Sequence, residues 1–138
     1  MNTGNGIRQL SVFIENKPGR LAAVTEKLYE AGINIRALTI AEAGDFGIIR
    51  MVVDQTEKAY TILKNSGFTV SLIYVLTIEV KDEPGSLFEI SKILARENIN
   101  IEYLYAFTSG ARALIVLRLD DHNRGFEVLR EEGFRVVV

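Results

Sequence analysis

The sequence predicts an α+β protein made of two tandem βαββαβ modules, each a four-stranded antiparallel sheet with two helices on one face. Three observations predict this. The chain repeats itself: shifted by 66 residues, Ile7–Leu72 lies over Ile73–Val138 without a gap, and roughly 17 of the 66 pairs are identical. Within each copy, apolar residues switch between an alternating pattern and helical spacing in the order strand, helix, strand, strand, helix, strand. The punctuation also repeats, since Pro18-Gly19 meets Pro84-Gly85 and Gly67-Phe68 meets Gly133-Phe134.

In the first copy, Leu10 to Ile14 alternate as a strand, and Pro18-Gly19 stops it and opens a helix. Leu21, Val24 and Leu28 recur along that helix, which Gly32 ends as a C-cap residue. Asn34 to Ala41 reads as the second strand, Gly44-Asp45 as a turn, and Gly47 to Val53 as the third strand. Asp54 is placed to cap the second helix, with Glu57 as its capping-box partner. Tyr60 and Leu63 face inward, and Phe68 to Leu72 closes the module after Gly67. The second copy repeats the order: strand Tyr74–Val80, helix Ser86–Glu97, strands Ile101–Phe107 and Arg112–Leu119, helix Asp121–Glu131 and strand Phe134–Val138. Right-handed crossovers then give two ferredoxin-like modules, over residues 1–72 and 73–138. The junction Ser71-Leu72-Ile73-Tyr74-Val75 has no glycine or proline, so no flexible linker is expected. A unit of about 66 residues buries little surface alone, so the copies are expected to pack on each other in a fixed geometry.

The formal net charge of -2 does not suit a polyanion partner, so neither nucleic acid nor an anionic membrane is expected. There is no cysteine, which excludes disulfides, thiolate metal sites and cysteine nucleophiles. The start, Met1 to Gly6, has no apolar secretory core. The stretch Val70–Val80 is too short and too β-rich to span a bilayer, so the expected location is the cytoplasm. The single histidine, His122, begins a surface helix and has Thr56 as its counterpart, which reads as solvated rather than catalytic. The acid pairs Asp82-Glu83, Asp120-Asp121 and Glu131-Glu132 read as caps and solvated charge, with no partner base. No phosphate loop, nucleophile elbow or zinc spacing occurs, so no enzyme activity, cofactor or metal is expected. A four-stranded sheet with two helices also serves RNA binding when central strands carry stacking aromatics. Phe46-Gly47-Ile48-Ile49-Arg50 matches a fragment of that pattern, but the second copy has Arg112-Ala113-Leu114-Ile115-Val116.

Two polar landmarks recur in both copies. One is the turn into the first helix: Asn16-Lys17-Pro18-Gly19-Arg20-Leu21 and Asp82-Glu83-Pro84-Gly85-Ser86-Leu87. The other is the asparagine opening the second strand: Asn34 before Ile35, and Asn100 before Ile101. Free N–H groups at a helix start favour a carboxylate. Glycine lets a ligand approach the backbone, and asparagine serves both an ammonium and a carboxylate. The constellation suits a small zwitterion.

The Asn16-x-Pro18-Gly19-x-Leu21 turn, the amphipathic helix and Gly32-Ile33-Asn34-Ile35 together resemble the signature of the ACT domain, a βαββαβ module that binds amino acids for regulation. The resemblance covers both copies, and it extends to the regulatory subunit of acetolactate synthase, without that subunit's C-terminal domain. It implies a regulatory protein with a free amino acid as ligand, a homodimer, and an amino-acid biosynthetic enzyme as a partner. The alternative is a regulatory subunit that binds no ligand itself. Carried over by residue, the resemblance implies two pseudo-symmetric sites. Site one joins Asn16, Lys17, Pro18, Gly19, Arg20 and Leu21 to Asn100 and Ile101. Site two joins Asp82, Gly85, Ser86 and Leu87 to Asn34 and Ile35. Asp82 departs from the family's asparagine, and with Glu83 it would repel a carboxylate. Arg20 and Lys17 instead favour a carboxylate in site one, which is therefore expected to be the tighter.

Overall fold

The computed structural model describes residues 6–137. The elements are β1 (Ile7–Glu15), α1 (Arg20–Glu30), β2 (Ile35–Ala43), β3 (Phe46–Val53), α2 (Thr56–Asn65), β4 (Thr69–Lys81), α3 (Ser86–Arg96), β5 (Ile101–Ser109), β6 (Arg112–Leu119), α4 (His122–Glu131) and β7 (Arg135–Val137). The described residues divide into two compact units, one of residues 8–73 and one of residues 74–137 with Gly6 and Ile7. The strands expected on either side of Ile73 are a single strand, β4, because nothing between Thr69 and Lys81 breaks an extended backbone.

In the first unit β3 lies between β2 and β1, and β4 lies on the other side of β1. All pairings described are antiparallel, with Leu10 opposite Met51, Val12 opposite Ile49, and Leu38 opposite Met51 across the other edge of β3. These positions alternate, so Leu10, Val12, Ile49, Met51 and Val53 share the face that α1 and α2 cover. Val24 and Leu28 of α1 and Ala59 and Leu63 of α2 complete the core.

The second unit repeats the design. β6 lies between β5 and β4, and β7 pairs with β4 through Ile78 opposite Val136. Its core comprises Leu76, Ile78, Ile90, Leu94, Leu117, Phe126 and Leu129. Gly125 of α4 is buried, and a Cβ there would overlap Leu119 Cδ1. Its counterpart is Ala59, and the counterpart of Leu119 is Val53.

The duplication extends to single hydrogen bonds. At the end of α1, Gly32 has φ 71° and Ile33 N–H donates to Leu28 O at 2.9 Å. At the end of α3, Asn98 takes that left-handed position at φ 57°, and Ile99 N–H donates to Leu94 O at 2.9 Å. Asparagine is the residue after glycine that tolerates this backbone best.

The capping expectation for α2 is corrected. Gln55 is its N-cap, with no side-chain cap bond. The Asp54 carboxylate instead accepts from Asn34 N–H at 3.0 Å, while Asp54 N–H donates to Asn34 O at 3.1 Å. Glu57 pairs with Arg8. A capping box is local, and here a bond across 20 residues displaces it.

Candidate functional site

Each turn into a module's first helix is held by the same backbone bonds. Lys17 N–H donates to Glu15 O at 3.0 Å and Asn16 N–H to Asp45 O at 2.8 Å. Their counterparts are Glu83 N–H to Lys81 O at 3.0 Å and Asp82 N–H to Ala111 O at 3.1 Å. The N-cap residues Gly19 and Gly85 sit at φ 88° and 94°, where an L side chain is strained, although an added Cβ would meet nothing within 4 Å. The helices' own bonding starts only at Ala23 N–H to Gly19 O and Glu89 N–H to Gly85 O, each 3.0 Å. Each helix start thus carries the positive end of its dipole beneath an open glycine.

The turns differ in charge. Asn16 Nδ2 donates to Gly44 O at 3.1 Å, which fixes the side chain and leaves its oxygen able to accept. Arg20 Nη2 lies 2.8 Å from Glu15 Oε1, and Lys17 Nζ lies 3.4 Å from Glu15 Oε2. Both cations expected to draw a carboxylate to site one therefore share one acid, for a net charge of about +1 across the trio. At the second turn Ser86 Oγ donates to Lys81 O at 2.7 Å, and Asp82 and Glu83 are exposed. Pro18, Leu21 and Leu87 are exposed as well.

The strand-opening asparagines are held alike. Asn100 N–H donates to Asp120 Oδ1 at 2.9 Å and Asp120 N–H donates to Asn100 O at 3.1 Å, as Asn34 and Asp54 do. Both asparagines are exposed, and Ile35 and Ile101 are half-buried. Within one module the turn and its own asparagine stay apart. They stand at opposite ends of a first helix of 11 residues, about 16 Å long.

Cavities touch both turns, and one opens from the second turn onto the sheet. It has about 160 Å³ and is lined by Asp82, Ser86 and Leu87 of the second turn, with Val80, Leu104, Ala106, Ala113 and Ile115. Val80 and Ile115 are buried and form an apolar floor, while Asp82 and Glu83 are exposed at the rim. The sequence reading missed Leu104, Ala106, Ala113 and Ile115. The signal for them lay in the repeat, where small Ala106 stands opposite Ile40. Among the described residues no cluster of metal-ligating side chains occurs, and no helix is long and apolar enough to cross a membrane.

Two duplicated ferredoxin-like modules, each opening its first helix at a Pro-Gly turn, define a class of paired modules. Residues 5–138 match the family model described as "ACT domain pair", and the chain belongs to that family. It is similar to a Bacteroides thetaiotaomicron protein of known crystal structure, at 40% identity and TM-score 0.92, covering 96% of this chain and 92% of that one. It shares its fold with the ligand-free regulatory subunit of aspartate kinase from Thermus thermophilus, at 16% identity and TM-score 0.69, covering 96% of each chain. The same subunit from Thermus flavus matches at 17% identity and TM-score 0.62 over 90% of each chain. No curated protein matches the sequence.

Proposed function

We propose that this ACT domain pair senses a free amino acid in the cytoplasm and passes its ligand state to a partner, without catalysis of its own. The observation that carries the reading is the cavity beside the Asp82-Glu83-Pro84-Gly85 turn. A small apolar side chain enters over Val80 and Ile115. The ligand ammonium meets Asp82, and its carboxylate takes the free N–H groups that open α3. Charge favours the first turn and the apolar floor of Val80 and Ile115 favours the second; we assign the ligand side chain to the second. There Ser86 and Leu87 form the wall beside Gly85, and we propose that a strand-opening asparagine from a second module, Asn34 with Ile35, completes the site. The first turn, Asn16 to Leu21 with Asn100 and Ile101, is the weaker counterpart. We further propose a homodimer and, as partner, an enzyme that makes the sensed amino acid. Binding then acts by favouring one of two states of the assembly.

The test is a thermal-shift screen of the intact chain against the twenty amino acids. A ligand at about a hundred times its Kd adds about 2.7 kcal/mol, a shift of several degrees. One or two apolar amino acids are expected to raise the midpoint. Ala106→Ile and Asp82→Ala should each remove the shift, and Asn16→Ala should reduce it less. No shift with any amino acid favours the alternative, a regulatory subunit that binds no ligand itself.

A further inference from the structure

A second concavity recurs in both modules, on the other side of the first helical residue from the Ala106 cavity. In the first module it occupies about 410 Å³, within the range of small-molecule sites, and in the second about 320 Å³. The 66-residue shift carries one lining onto the other: Phe13 onto Glu79, Arg20 onto Ser86, Phe46 onto Arg112, Phe68 onto Phe134 and Thr69 onto Arg135. The notch is therefore a product of the fold, formed where the end of one strand and the turn before another leave a gap.

Its two copies have diverged in chemistry. In the second module Arg112 Nη2 and Glu79 Oε2 pair across it at 3.0 Å, so the charges there satisfy one another. In the first module the same two positions are Phe46 and Phe13, which remain 58% and 48% exposed. Two exposed rings lining one concavity make an apolar patch rather than scattered exposure. Arg20 and Glu15 line the notch beside them, and Lys17, outside its lining, shares the same acid, which leaves a net positive charge on the trio. The Arg20 side chain is 38% exposed beside Glu15, so its outer guanidinium N–H groups can be reached from the notch.

We infer that the notch of the first module is a binding site for a small ligand joining an aromatic ring to a carboxylate, sharing Arg20 with the first turn of the proposed amino-acid site. The ring lies against Phe13 and Phe46 in offset or edge contact, and the carboxylate meets Arg20. This site does not depend on the amino-acid reading of the Ala106 cavity.

Calorimetric titration of the intact chain with 3-phenylpropionate tests it, with phenethylamine and propionate as partial ligands. Saturable binding of 3-phenylpropionate is expected, with at least tenfold weaker binding of either partial ligand. Phe46→Ala and Arg20→Gln should each weaken it at least tenfold. Phe88→Ala, on an exposed residue outside the notch, and Ala106→Ile should leave it unchanged. The inference is overturned by absent saturation or by binding indifferent to Phe46→Ala. Loss of binding in Ala106→Ile, or a molecular mass that falls on Phe46→Ala as an interface between copies would require, overturns it equally.

Discussion

Replacing Gly125 by alanine should destabilise the protein, and replacing Leu119 by valine in the same chain should repair it. A Cβ at Gly125 would overlap Leu119 Cδ1, and Leu119 is only 1% exposed, so its methyl has little room to move. Overpacking a core in this way costs about 1–3 kcal/mol. The gain in helix propensity from glycine to alanine returns about 1 kcal/mol. The net loss for Gly125→Ala is then about 1 kcal/mol. Leu119→Val alone removes one buried methylene and costs about 1 kcal/mol. The first module already holds the compensated pair, with Ala59 and Val53 at these positions, the same number of side-chain carbons divided differently. The double variant should therefore sit near the parent, where additivity demands a loss of about 2 kcal/mol. Urea unfolding of all four proteins, followed by far-ultraviolet circular dichroism because the chain has no tryptophan, measures the coupling. A double variant that loses the sum of the single effects would refute the complementary packing.

Three further outcomes are expected. Asp54→Ala and Asp120→Ala should each cost about 1 kcal/mol, since each carboxylate accepts the N–H that starts a strand, and amide exchange at Asn34 or Asn100 should rise in step. Gly32→Asn should cost less than Gly32→Ala, by about 1 kcal/mol in urea unfolding, because the twin position holds Asn98 in the same left-handed backbone. Thr77→Val should raise stability by about 1 kcal/mol, measured by the unfolding midpoint, because the Thr77 hydroxyl is buried without a hydrogen-bond partner among the described residues.

The architecture was legible because its determinants are local and stated twice. Leu10, Val12, Val24 and Leu28 show their periods in the sequence, and their counterparts Leu76, Ile78, Ile90 and Leu94 repeat them. The Pro-Gly turns were equally plain, since positive φ at Gly19 and Gly85 demands that residue type. What escaped the sequence was long-range or negative. The Asp54 carboxylate had a helix N-terminus beside it and a strand start 20 residues back, and only the folded chain shows which it takes. The cavity at Ala106 is an absence of side chain, assembled from β4, β5, β6 and the turn before α3. The charge reading of site one saw Arg20 and Lys17 but not that both answer to Glu15.

The reciprocal bonds between Asn34 and Asp54, and between Asn100 and Asp120, use the asparagine main chain alone. The exposed amide side chains carry none of that burden. Ancestry can therefore exchange the residue at either position, and with it the chemical preference of the surface, while the loop keeps its shape. A scaffold divided in this way separates heritable taste from heritable form, so the two halves of a duplicated gene can drift toward different chemicals without either one unfolding.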